Sequence, residues 1–301
     1  MKKTKLVSLL LALVVLAASL AGCQATQKSS NSNDLTPIPA NGRVVGTSVA
    51  TDEILDALGY DNVVGVPHTD AYKIPDRYKN AKEIGSPMNP NTEILKSLKP
   101  DIVFTPKSLE GQLKKGYDDI GVRSYFLNLE STDGMFQSIL DMGKILGREK
   151  QANALNADYQ QFKKELAARH QNAKKPKILI LMGLPGSFAV ATEKSYVGSL
   201  AKMAGFENVY GDGNGKDFLN VSTEDMLQKQ PDIIFRTSHA MPDKVKKMFA
   251  DEFKNNSIWK HFKAVQNNKV YDLDNQHFGM SARFNYKDAI KELEQICNEN
   301  Q

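Results

Sequence analysis

The sequence predicts an α/β fold of two lobes with mainly parallel sheets, joined by one long helix. Three observations predict it. Short apolar runs alternate with segments of helical period through most of the chain. A helix–turn–strand pattern recurs once at a constant offset, and a long stretch of helix formers lies between its two copies.

Residues 1–22 read as a signal peptide. Lys2, Lys3 and Lys5 form a basic start, Leu6 to Leu20 is almost unbroken apolar sequence, and small residues follow. The run is too short and too quickly ended for a comfortable transmembrane helix. The tetrad Leu20-Ala21-Gly22-Cys23 resembles the lipobox of bacterial lipoproteins, which implies cleavage before Cys23 and acylation of that residue. An ordinary signal with a chance Cys is the alternative. Residues 23–40 then hold the lipidated Cys and a flexible tether, rich in Ser, Asn, Gln and Lys.

Removing the signal changes the charge argument. The full chain carries 39 basic and 35 acidic residues; without its three signal lysines the balance is 36 against 35. Such a near-neutral protein offers no basic footprint for nucleic acid. Acylation of Cys23 would also exclude a disulfide framework, since the second of the two cysteines is Cys297, in a helix-like final segment where a buried apolar role is expected. About 270 residues without disulfides suggest two domains of ordinary size.

The N-terminal lobe is placed at residues 41–131. Arg43–Val49 reads as a strand, Thr51–Leu58 as a helix ended by Gly59, and Val63–Val66 as a second strand. Thr92–Leu98 is a helix closed by Lys99-Pro100, and Ile102–Phe104 a strand. The stretch Asn91–Phe104 aligns without gaps on Ser222–Phe235, sharing Thr-Glu and Pro-Asp-Ile. Residues 132–172 contain no strand-like run. Met135–Leu146 and Glu149–His170 have apolar residues at three- and four-residue steps among Ala, Lys, Glu and Gln, which predicts the linking helix region. The C-terminal lobe, residues 173–301, opens with the apolar strand Lys177–Leu181. It continues through Ile233–Phe235, a helix Asp243–Phe249, a strand-like Val270–Leu273 and a last helix Asp288–Cys297.

Two segments carry candidate chemistry. Met88 sits in Gly85-Ser86-Pro87-Met88-Asn89-Pro90, which is neither helix nor central strand. Such a Met either caps an apolar rim or faces a cleft. His239 follows an apolar strand by a few residues, where open α/β sheets bind ligands; a solvated loop His is the alternative. His277, after Val270–Leu273 and near Met280, competes with it. His68, His170 and His261 read as ordinary surface positions. Gly211–Asp217 lacks the first Gly and the Ser or Thr of a phosphate loop and reads as a surface turn.

The two-lobe pattern from Gly42 to the last helix resembles the substrate-binding proteins of iron–siderophore, cobalamin and haem ABC importers. Gly85–Pro90, Leu179–Ser187, Ala191–Tyr196 and His239-Ala240-Met241-Pro242 resemble the haem-binding lipoproteins among them. The resemblance implies two Rossmann-like lobes, no enzyme activity, and haem b as transported ligand. Met88 and His239 are implied as axial ligands of the haem iron. Val49, Ala50, Thr51, Gly183, Ser187 and His277 are candidate pocket residues, the backbone N–H groups of the first and second lobe serving the propionates; a plain strand–helix turn explains both backbone segments equally well. Glu93 and Glu224, equivalent in the half-repeat, are implied as contacts to the permease; helix-dipole preference explains acidic residues there equally well. The implied partners are an ABC permease with its ATPase, an upstream cell-surface haem donor, and the membrane through the Cys23 lipid on its extracellular face. The protein is expected to be a monomer. An iron–siderophore or cobalamin receptor is the alternative. Neither His-Glu-x-x-His nor Gly-x-Ser-x-Gly occurs.

Overall fold

The computed structural model describes residues 34–300, apart from Ala71, Asn172 and Ala240. The segments read as signal peptide, Cys23 anchor and most of the tether lie outside the described residues.

The first lobe is built on a wholly parallel sheet in the order β3-β2-β1-β6-β7. Its strands are β1 (Val44–Gly46), β2 (Val63–Val66), β3 (Lys82–Glu83), β6 (Ile102–Pro106) and β7 (Ser124–Leu127). Between β3 and β6, β4 (Gly85–Ser86) and β5 (Asn89–Pro90) form a separate antiparallel hairpin. Val44, Ile102 and Phe104 pack into one apolar cluster, whereas Val45, Val103 and Phe126 pack into another on the opposite side. Both faces are therefore covered, which is why these strands read as unbroken apolar runs rather than alternating ones.

The first strand is shorter than expected. Backbone hydrogen bonding turns after Gly46, and helix α1 (Val49–Ala57) begins two residues ahead of the predicted Thr51. Ser48 is the reason: its side chain accepts from the Thr51 N–H at 3.2 Å and caps the helix. Helices α2 (Thr92–Leu98) and α3 (Glu110–Asp119) complete the lobe.

Helix α4 (Thr132–Leu146) starts at the Ser131 cap and ends at Gly147, which takes the left-handed φ of 63°. The linking helix α5 (Glu149–His170) runs 22 residues as expected. The two helices lock through Phe136 stacked on Tyr159 at 4.1 Å between ring centroids, with Tyr286 edge-on to both. The Tyr159 hydroxyl donates to Asp133 at 2.8 Å. His170 is not an ordinary surface residue. Its side chain is 11% exposed and its Nε2 lies 2.9 Å from Glu294, tying the end of α5 to the last helix.

The second lobe contains β8 (Lys177–Leu184), β9 (Ser187–Ala191), β10 (Glu207–Asn208), β11 (Phe218–Leu219), β12 (Ile233–Ser238) and β13 (Val270–Asp272). The sheet runs β11-β9-β8-β12-β13, with β10 also on β8; β9 and β11 are antiparallel and the rest parallel. The antiparallel hairpin turns at Pro185-Gly186, where Gly186 has a φ of 87°. Helices α6 (Tyr196–Met203), α7 (Thr223–Gln228), α8 (Pro242–Asn255), α9 (Lys263–Gln266) and α10 (Tyr286–Glu299) flank it. Pro242 opens α8 as expected, but the helix continues to Asn255 rather than Phe249. Cys297 is buried on α10, with Sγ 4.0 Å from the Gly205 carbonyl. One apolar cluster takes in residues of both sheets together with α1, α4, α5, α6 and α10.

Candidate functional site

A cavity of about 530 Å³ lies off the carboxyl ends of the central strands of both sheets. Ser48 reaches it from the turn after β1, Pro106 and Ser108 from the end of β6 and just beyond, Met182 and Leu184 from β8, and His239 from just past β12. This is where open parallel sheets leave a crevice, because the helices that follow the strands diverge there. The walls are mainly apolar, and among the described residues Arg283 is the one permanently charged lining side chain.

Met88 is placed by the small β4–β5 hairpin. Pro87 and Met88 form its turn, and the Met88 carbonyl accepts from Gln112 Nε2 at 2.6 Å. The residue is 56% exposed, as an apolar residue at an open cavity would be. A thioether cannot be satisfied by water in the way a polar group can, so the exposure is a cost that a bound partner would remove.

His239 follows the last residue of β12, its N–H donating to the Gly183 carbonyl at 3.0 Å. The side chain is exposed toward the cavity mouth, yet enough protein surrounds the ring to push its pKa below the ordinary imidazole value. Desolvation favours the neutral form, which keeps a ring-nitrogen lone pair for a metal at neutral pH. A thioether and a neutral imidazole thus line one space.

Val49 and Ala50 line the same cavity at the start of α1. Their N–H groups belong to the first turn and have no carbonyl within the helix to donate to, so they can receive a carboxylate. The structure does not bring Thr51, Gly183 or Ser187 to the lining. Thr51 is buried, its hydroxyl 2.8 Å from Ser48 Oγ. Gly183 is turned toward α8: a Cβ there would lie 2.2 Å from Val245 Cγ1. Ser187 stands exposed at the far side of the hairpin turn. His277 does line the cavity, with Nδ1 3.2 Å from Glu292.

Sequence reasoning missed Tyr72 and Arg283, and named Met280 only as a neighbour of His277; all three line the cavity. Arg283 hydrogen-bonds Glu53 of α1 through both Nε and Nη2, and its guanidinium lies 4.4 Å from the Tyr72 ring centroid. Burial opposes the Arg283 charge, but Glu53 outweighs it and the pKa is raised. Burial also raises the Tyr72 pKa, so its phenol stays protonated and is a poor metal ligand. No local sequence signal marks Tyr72 or Arg283.

Glu93 and Glu224 are exposed in the first turns of α2 and α7. Neither lines the cavity, and each helix is capped by another residue. Asn91 accepts from the Glu93 and Ile94 N–H groups, and Ser222 from that of Asp225.

The family described as periplasmic binding protein matches residues 44–277. The chain is 40% identical to the high-affinity heme uptake system protein IsdE of Staphylococcus aureus strain Newman over 292 residues, which are 96% of this chain and 97% of that protein. An ABC transporter substrate-binding protein from Listeria monocytogenes EGD-e superposes with a TM-score of 0.81 and 44% identity, covering 86% of this chain and 99% of that one. The crystal structure of S. aureus IsdE complexed with heme gives a TM-score of 0.79 and 42% identity, covering 85% and 98%.

Proposed function

The chain belongs to the periplasmic binding protein family, and we propose that it is the haem receptor of an ABC importer, held at the outer face of the cell membrane by a lipid on Cys23. One observation carries the reading. Met88 from the front half of the sequence and His239 from the back half line one mainly apolar cavity. One thioether and one imidazole form a six-coordinate haem ligand set.

Haem enters between the lobes with its apolar face on Met182, Leu184 and Leu109, which line the space. The iron accepts the Met88 sulfur and a His239 ring nitrogen. The propionates face the first-turn N–H groups of Val49 and Ala50, where the helix dipole favours negative charge. Glu93 and Glu224, exposed and free of capping duties, dock the loaded protein on the permease, and the ATPase on the other side drives release. The protein acts as a monomer and receives haem from a donor at the cell surface. A single acyl chain binds membranes only marginally, so a second chain on the same Cys is required for stable anchoring.

Arg283 and Tyr72 favour one rival, since an anionic ferric siderophore is held by such side chains. Glu53 already neutralises Arg283, however, and Tyr72 lies over the same guanidinium.

Titration of the purified mature protein with haem tests the reading. The expected result is one-to-one binding with the sharp Soret band of low-spin, six-coordinate iron. A spectrum unchanged from free haem, with a ferric siderophore or cobalamin bound instead, would transfer the protein to the rival class.

A further inference from the structure

The cavity holds a second imidazole that the Met88/His239 pair leaves unused. His277 lines the same space and sits 3.2 Å through Nδ1 from Glu292 on α10. An ionised carboxylate only accepts hydrogen bonds, so the neutral His277 ring beside it carries its proton on Nδ1 and leaves the lone pair on Nε2. Metal-ligating histidines are commonly held in this way, the carboxylate fixing the tautomer and raising the basicity of the other nitrogen.

The segment carrying His277 is also firmly built. The His277 and Phe278 N–H groups both donate to the Asp274 carbonyl, at 3.0 and 2.9 Å. Thr237 Oγ1 on β12 donates to the Phe278 carbonyl at 2.7 Å, Asn285 Nδ2 donates to the Gln276 carbonyl at 2.8 Å, and the Phe278 ring is wholly buried. His239, by contrast, has its side chain exposed on the loop that leads into α8.

We propose that His277 is a second ligand-competent histidine of this cavity, taking the haem iron as His239 lets it go. The proposal rests on the haem reading above. In the exchange one Fe–N bond breaks and another forms. His277 supplies its Nε2 electron pair, the Nδ1 proton stays on the bond to Glu292, and the iron keeps its oxidation state. A receptor that must also release its cargo gains from such a station, because stepwise transfer between two ligands avoids leaving the iron one ligand short.

The experiment compares haem titrations of the wild-type mature protein, His239→Ala, and His239→Ala with His277→Ala. The single variant is expected to keep a low-spin, nitrogen-ligated spectrum. The double variant is expected to become high-spin and to bind at least about tenfold more weakly, a difference of about 1.4 kcal/mol. Identical spectra and affinities for the single and double variants would overturn the proposal, because a merely structural His277–Glu292 tie does not alter iron coordination. If circular dichroism shows the double variant unfolded, His239→Ala with His277→Asn takes its place under the same criterion. Failure of the wild-type protein to bind haem would instead remove the haem reading itself.

Discussion

Arg283 and Glu53, 230 positions apart, close a two-point salt bridge that ties the segment before α10 to helix α1 beside the cavity. Their side chains are 19% and 23% exposed, so each charge depends on the other for much of its solvation. The neighbouring Ala282 N–H donates to the Leu129 carbonyl at 2.8 Å, which makes this a second join between the two halves of the chain. Removing Glu53 alone strands a largely buried guanidinium. Glu53→Ala should therefore cost about 1–3 kcal/mol. In a thermal-denaturation cycle, Glu53→Gln with Arg283→Gln should lose less than the sum of the two single changes. Strict additivity would mean that the pair contributes no coupling.

Glu93 and Glu224 offer the opposite case. Both are exposed, and Asn91 and Ser222 do the capping. Replacing both with Ala should change stability by no more than about 0.5 kcal/mol at each site and leave haem affinity intact. Haem-stimulated ATP hydrolysis by the reconstituted importer, or haem-dependent growth, should fall sharply. Normal transport by the double variant would show that docking lies elsewhere.

The half-repeat that carries those glutamates was legible because the same local physics operates twice. Lys99 and Gln230, at matching positions before Pro100 and Pro231, both adopt left-handed backbone, with φ of 45° and 49°. A helix that stops on such a residue and then meets Pro leaves a recognisable sequence. Gly-Pro segments and strand ends mark where a cavity can open, and Met88 and His239 do line it, but the local pattern alone leaves a rim Met and a solvated loop His equally open; the family resemblance is what singles the two out. The hairpin of β8 and β9 was missed although Pro185-Gly186 signalled it; the apolar run conceals the turn. Arg283 and Tyr72 were not legible at all, because their meeting depends on contacts with α1 that no short-range pattern encodes. Thr51 and Gly183 failed differently: each neighbours lining residues, but its own side points to Ser48 or to α8.

Met88 should set the electronic properties of bound haem. A thioether ligand raises the reduction potential relative to a nitrogen or oxygen donor. Met88→Ala should lower the potential, bring in water-ligated high-spin character, and weaken binding by about tenfold, or ~1.4 kcal/mol. Spectroelectrochemistry of the loaded variant measures the first, and titration the last. An unchanged potential and spectrum would mean that the sulfur does not touch the iron.

Asp52 makes the last prediction, on stability against pH. It is wholly buried in the first turn of α1, and neither carboxyl oxygen has a hydrogen-bond partner among the described residues. Oδ1 packs against Gly46, where a Cβ would come within 1.9 Å, so Gly46→Ala should cost about 1–3 kcal/mol through overpacking. Burial first, and the negative Glu53 second, raise the Asp52 pKa well above its ordinary value. The folded state therefore binds this proton more tightly than the unfolded chain does. The resulting stabilisation is complete below the unfolded Asp pKa of about 3.9 and is lost as pH rises through the folded value. Asp52→Asn cannot ionise, so urea unfolding should show its stability declining less than wild type as pH rises from about 4. Parallel stability curves for the two proteins would show instead that the buried carboxyl finds its compensation within the folded state.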